Sequence, residues 1–150
     1  MSVRYAHTNI VAEDWRRLAA FYRAVFACEP VPPERDQAGE WLARATGVPG
    51  AALRGVHLRL PGHGATGPTL EIYSYGAMTD GPTTPAANRK GLGHLAFEVD
   101  DVAVTLAQIG VHGGRTLGEV VVREIAGVGT ITFVYAADPE GNILEIQTWA

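Results

Sequence analysis

The sequence predicts an α+β fold built from two copies of a β-α-β-β-β module. Three observations lead there. Alternating, strand-type stretches are followed twice by stretches of helical period, each helix is followed by further strand-type runs, and the two halves match each other at their opening and closing stretches.

In the first half "VRYAHTNI" alternates and is rich in strand formers, and "EDWRRLAAFYRAVF" then repeats Trp15, Leu18, Tyr22, Val25 and Phe26 at helical spacing. "ACEPVPPER" reads as a short edge strand, because its prolines exclude a central position. "QAGEWLARATG" reads as a short helix ended by Gly47, and "ALRGVHLRL" and "PTLEIYSY" as two strands. A Gly-, Pro-, Thr- and Asn-rich stretch, "YGAMTDGPTTPAANRKG", marks a connecting loop. The second half repeats the order: "LGHLAFEV" is a strand, and "DDVAVTLAQIG" a helix with Asp101 as N-cap and Gly110 as stop. Its face carries Val102, Thr105, Leu106 and Ile109, and "LGEVVVREI", "GTITFVYA" and "NILEIQTW" complete the module as strands. The expected organisation is one domain over 1–150, with a module at about 1–76, a linker at 77–90 and a second module at about 91–150.

The repeat holds over two blocks, each free of gaps. Superposing His7 on His94 brings Asp14 onto Asp101, Trp15 onto Val102 and Ala20 onto Ala107, and superposing Glu71 on Glu145 brings "LEIYSY" onto "LEIQTW". Each copy therefore opens on a strand carrying His and closes on a strand carrying Glu between aliphatics.

Composition removes several classes of partner. With 150 residues, 47% of them hydrophobic, the chain can bury one shared core but not several large ones. A net charge of -4 supplies no clustered cations for a polyanion, so nucleic acid is not an expected partner. No apolar run approaches the roughly 20 residues that span a bilayer, so no membrane role is expected. The lone Cys28 excludes an intrachain disulfide, and "MSVRYAHTNIVAEDW" lacks a secretory apolar core, which points to a cytoplasmic protein.

Strand parity decides where the polar side chains point. Leu95, Phe97 and Val99 share one face and leave His94 on the other; Leu144 and Ile146 leave Glu145 with Gln147 and Trp149. Glu71 likewise opposes Leu70 and Ile72 and joins Tyr73 and Tyr75, and His7 has the parity of Tyr5 and Asn9. A single His or Glu on such a face is ordinarily just solvated. Four of them on repeat-related strands can instead converge, and two imidazoles with two carboxylates form a set suited to a divalent first-row metal. His57 and Arg59 share a face opposite Val56, Leu58 and Leu60, where Arg59 would bind a carboxylate or phosphate of a substrate. Tyr73, Phe133 and Trp149 are candidates for an apolar substrate wall.

"YAHTNIVAEDWRRLAAFY", "GLGHLAFEVDD" and "FVYAADPEGNILEI" resemble motifs of the vicinal oxygen chelate superfamily, whose members include glyoxalase I, methylmalonyl-CoA epimerase, extradiol dioxygenases and bleomycin-binding proteins. The resemblance spans essentially the whole chain. It implies paired modules forming an open, cup-shaped mixed sheet, usually in a homodimer, with His7, Glu71, His94 and Glu145 at the places of the metal ligands. It implies one divalent ion per site, nickel, cobalt, zinc or manganese in a glyoxalase-like enzyme and iron in a dioxygenase. Tyr135 matches a dioxygenase tyrosine, but the histidine those enzymes carry a few residues upstream is replaced here by Ala126, Gly127 and Val128.

The function implied is metal-dependent isomerase or lyase chemistry on a small oxygenated molecule through a chelated enediolate, with Glu145 and then Glu71 as proton carriers. Two alternatives stand beside it: a non-catalytic protein that binds a drug-like small molecule, and an iron-dependent dioxygenase.

Overall fold

The computed structural model describes residues 2–150 and divides into two compact units, Met1–Gly81 and Pro82–Ala150, each with its own open mixed sheet. The fold is α+β throughout, with three helices and nine strands among the described residues.

In the first unit the elements are β1 (His7–Val11), α1 (Trp15–Phe26), β2 (Glu29–Ala38), α2 (Glu40–Thr46), β3 (Ala52–Arg59) and β4 (Thr69–Tyr75). The sheet order is β1-β4-β3-β2, with β1 parallel to β4 and the other neighbours antiparallel. Asp14 caps α1 by accepting from the backbone N–H of Arg16 and Arg17, both at 3.1 Å. Ser74 fastens that turn onto β4, accepting from the Trp15 N–H at 3.2 Å and donating to the Ala12 carbonyl at 2.7 Å. The helix then lays Leu18, Phe21, Tyr22 and Phe26 on the sheet face formed by Val56, Leu58, Leu70 and Ile72, all of them buried. Each such side chain removed from water contributes about 1.5–3 kcal/mol, so this face is fixed and its opposite is left for polar residues.

The second strand differs from expectation. It lies at the sheet edge as expected but continues past Arg35 to Ala38, and a bulge between Val31 and Arg35 takes Pro32 and Pro33 out of the ladder. Helix α2 ends at Gly47 in the left-handed conformation, as the sequence suggested.

In the second unit the elements are β5 (Leu95–Glu98), α3 (Val102–Val111), β6 (Arg115–Thr116), β7 (Val121–Ile125), β8 (Gly129–Ala137) and β9 (Ile143–Trp149). The order is β5-β9-β8-β6, with β7 also on β8 and β5 parallel to β9. The topology repeats that of the first unit, with one strand broken into β6 and β7. Asp101 caps α3 through the Val104 N–H at 2.9 Å. The helix continues past Gly110 to Val111, and the left-handed residue that ends the segment is Gly113. Val102 and Ile109 pack toward the face of Leu144, Ile146, Val134 and Ala136. The β8–β9 turn is held by buried Asp138, which accepts from the backbone N–H of Glu140 and Asn142 and from the Asn142 amide. That anchor sets the register that pairs Tyr135 with Glu145.

Among the described residues no helix is long and apolar enough to cross a membrane.

Candidate functional site

Cross-strand partners in a sheet point to the same face, so the pairing register of the first unit writes out the polar surface directly. One row carries His7, Thr69 and Arg59; the next carries Asn9, Glu71 and His57; the third carries Val11, Tyr73, Gly55 and Arg35. Glu71 lies at the centre of this lattice.

Its carboxylate is correspondingly filled. Oε2 lies 3.3 Å from the His7 Nε2 and 3.3 Å from the donating Asn9 amide nitrogen. Oε1 lies 2.9 Å from the His57 Nε2 and accepts from the Tyr73 hydroxyl at 3.1 Å. Four contacts match the roughly four acceptor positions of an ionised carboxylate. The glutamate side chain is 12% exposed, against 44% for His7.

The protons in this cluster have one consistent arrangement. Tyr73 donates to Glu71, so at 2.8 Å it accepts from the His57 Nε2–H, and the His57 Nδ1 is left to accept from the Thr69 hydroxyl at 3.0 Å. Burial, opposed by the Glu71 charge and joined by the Arg35 cation, lowers the His57 pKa and favours this neutral imidazole. Burial first, then the Glu71 charge and hydrogen bond, raises the Tyr73 pKa and keeps its proton in place. His57 thus supports Glu71 and has no nitrogen lone pair turned toward an ion.

Close approach of backbone and ring requires Gly55. A Cβ there would meet the Ile72 carbonyl oxygen at 2.0 Å and the Tyr73 ring at 2.3 Å. Leu42 of α2 packs with Leu53 and Tyr73 on the same face, so the short helix walls one side of the cluster. An open groove of about 480 Å³ lies toward the far end of β3 and β4, lined among others by Trp15, Leu53, Arg54 and Tyr75, away from Glu71.

The second unit carries the matching pair. The His94 Nε2 lies 3.0 Å from the Glu145 Oε2, with side chains 34% and 14% exposed. Tyr135 stands directly across from Glu145, donates to it, and has its pKa raised by burial and by the glutamate charge. Its ring meets that of His94 edge-on at a centroid distance of 5.2 Å. The support is thinner than in the first unit. Ala96 stands where Asn9 pairs with Glu71, Tyr135 where His57 does, and Gln147 takes the place of Tyr73.

The other candidates distribute as follows. Phe133 pairs with Gln147, and Trp149 with Ile131, so register puts both on the Glu145 face. Tyr73 belongs to the hydrogen-bonded core of the first cluster rather than to an open wall, being 7% exposed. Arg59 shares the Glu71 face by register but donates to the Ala65 carbonyl in the β3–β4 turn. Sequence reasoning did not single out Asn9 or Thr69, although Asn9 has the parity of His7. Arg35 closes the predicted edge strand but was given no role there.

Each His–Glu pair lies within one unit. Among the described residues no group of three or more His, Cys, Asp or Glu side chains is gathered to hold a metal ion. Within the first unit the reason is visible, since the third imidazole, His57, is engaged with Tyr73, Glu71 and Thr69.

Comparison with known proteins matches residues 4–146 to the Glyoxalase/Bleomycin resistance protein/Dioxygenase superfamily. A glyoxalase family protein from Bacillus cereus has the same fold with a TM-score of 0.84 at 18% identity, over 99% of this chain and 95% of that one. A glyoxalase/bleomycin resistance protein/dioxygenase family enzyme from Burkholderia phytofirmans PsJN gives 0.60 at 16% identity, over 97% and 98%. An integron cassette protein from V. cholerae gives 0.57 at 20% identity, over 100% and 98%. No curated protein sequence matches the chain.

Proposed function

The chain belongs to the glyoxalase/bleomycin resistance protein/dioxygenase superfamily, and from that premise we propose that it is a metal-dependent isomerase or lyase that moves a proton beside a carbonyl of a small oxygenated substrate. The observation that carries this reading is the duplicated His–Glu pair, His7 with Glu71 and His94 with Glu145, on the sheet faces turned away from the helices.

The donor chemistry fits a divalent ion. Two neighbouring ligands at about 2.1 Å from one ion stand about 3 Å apart, and the two pairs have Nε2 to Oε2 separations of 3.3 and 3.0 Å. The residues that would hold it are His7 and Glu71 in the first unit and His94 and Glu145 in the second, nitrogen and oxygen donors suited to nickel, cobalt, zinc or manganese. When bound, the ion supplies Lewis-acid polarisation of two neighbouring substrate oxygens.

The two carboxylates divide the remaining work. Glu71 is fixed on four sides, which suits an anchoring ligand whose Oε1 is oriented by His57 and Tyr73 and whose Oε2 faces His7. Glu145 is held by His94 and Tyr135 and has neither the amide nor the imidazole that Glu71 receives across the sheet. It is therefore the carboxylate with freedom to move a proton. Glu145 takes the proton from the hydroxyl-bearing carbon beside the carbonyl, and the C–H electron pair forms a C=C bond while the carbonyl oxygen takes the negative charge. The carboxyl returns the proton to the former carbonyl carbon as the hydroxyl proton of the first carbon passes to that oxygen and a new carbonyl forms.

The dioxygenase alternative lacks its upstream histidine, since the exposed turn at 126–128 carries none. The test is incorporation of solvent deuterium into 2-oxo acids and thiohemiacetals by protein loaded with each of the four metals, followed by NMR. Wild type is expected to exchange the carbon-bound proton and Glu145→Gln to lose that exchange while keeping its fold. No exchange with any metal, or exchange as fast in the variant, overturns the reading.

A further inference from the structure

Arg35 is the cation that the extended second strand adds to the Glu71 face. It pairs with Gly55, which in turn pairs with Tyr73, so the three form one row across the sheet beside the row of His57 and Glu71. It is half-buried, while its neighbours Glu34 and Asp36 on the other face are exposed. Those two acids are already matched, Glu34 with Arg16 and Asp36 with Arg54. Arg35 donates to the Pro33 carbonyl and takes part in none of the ion pairs formed among the described residues.

A guanidinium offers five N–H donors in a planar fork, and a half-buried one leaves several of them without protein acceptors. Gly55 contributes no side chain between Arg35 and the Tyr73 ring, so nothing on β3 stands in the row between the cation and the Glu71 cluster. Two strand spacings of about 4.8 Å separate β2 from β4, a distance that the arginine side chain covers in part. The gap that remains is spanned by the carbon chain of a short acid.

We infer that Arg35 is an anion subsite on the Glu71 face of the first unit, and that the substrate carries a carboxylate a few carbons away from its reacting oxygens. The inference rests on the metal-assisted reading above only for where the reacting oxygens lie. Its structural basis is the row of Arg35, Gly55 and Tyr73 and the absence of a carboxylate partner for the cation.

Isothermal titration of the full chain with 2-oxoglutarate and with 2-oxopentanoate isolates the second carboxylate, because the two share chain length and the 2-oxo acid end. Titrations run with manganese and without it. Wild type is expected to bind 2-oxoglutarate about tenfold more tightly than 2-oxopentanoate, the size of a charged hydrogen bond. Arg35→Gln removes that preference by weakening 2-oxoglutarate alone, Arg35→Lys restores part of it, and Arg54→Gln on the opposite face keeps it. A preference that survives Arg35→Gln overturns the subsite, as does a wild type with no preference or with no binding of either acid. Preference with no manganese effect sinks the metal reading and leaves the subsite; a manganese effect with no Arg35-dependent preference does the reverse.

Discussion

His57 stands directly across the β3–β4 ladder from Glu71, its Nε2 2.9 Å from the carboxylate, and at the corresponding position of the second unit Tyr135 faces Glu145. One duplicated frame thus presents two glutamates in different electrostatic company. The glutamate of the first unit is backed by imidazole, phenol and amide, and that of the second by phenol.

His7 and His94 occupy equivalent places beside their glutamates. His7→Ala and His94→Ala are each expected to weaken manganese or nickel binding by at least about tenfold, with a wild-type stoichiometry of one per chain. Equilibrium dialysis with metal analysis checks this. Binding that neither substitution weakens excludes the two histidines as ligands.

Tyr73→Phe deletes the hydroxyl that accepts from His57 and donates to Glu71 in a site 7% exposed. Both partners keep their polarity and lose a contact, a loss of about 1–3 kcal/mol. Urea unfolding should show it as a lower midpoint with unchanged slope. Tyr135→Phe, in a less buried position, should cost less, and the opposite order would argue against the asymmetry between the two glutamates.

Gly55→Ala places a methyl 2.0 Å from the Ile72 carbonyl oxygen and 2.3 Å from the Tyr73 ring. The first contact is backbone and cannot swing aside, so overpacking here is expected to destabilise by about 1–3 kcal/mol or more. Gly47→Ala adds a methyl that meets nothing within 4 Å, although its backbone is left-handed. Thermal melts of the two variants separate steric cost from conformational cost.

Cys28 is 2% exposed, and burial pushes its thiol up to about 12. The folded chain is therefore expected to resist thiol reagents at pH 8 and to react only on unfolding. The same shift sets a pH dependence. Between about pH 9 and pH 12 the unfolded chain has released a proton that the folded chain retains, so this contribution to stability is complete below pH 9 and is lost as pH rises through that window. Cys28→Ser should flatten that slope in urea titrations.

The sequence by itself determined the duplicated strand and helix order, the faces of Leu70, Ile72, Leu144 and Ile146, and hence the side on which His7, Glu71, His94 and Glu145 stand. Period alone is enough for that, since alternation in a strand and apolar spacing in a helix are local properties of the chain. Extents were less legible: the second strand continues to Ala38 beyond its edge bulge, α3 runs past Gly110 to Val111, and the strand before β8 is broken in two. What only the tertiary structure decided was partnership across strands: that His57 and Tyr73 join Glu71, that Tyr135 meets Glu145, that Asn9 and Arg35 belong to the same face, and that Arg59 turns to a loop carbonyl. Register depends on turns, bulges and buried anchors such as Asp138, which link residues far apart along the chain. No local pattern in either strand records which residue of the other it will face.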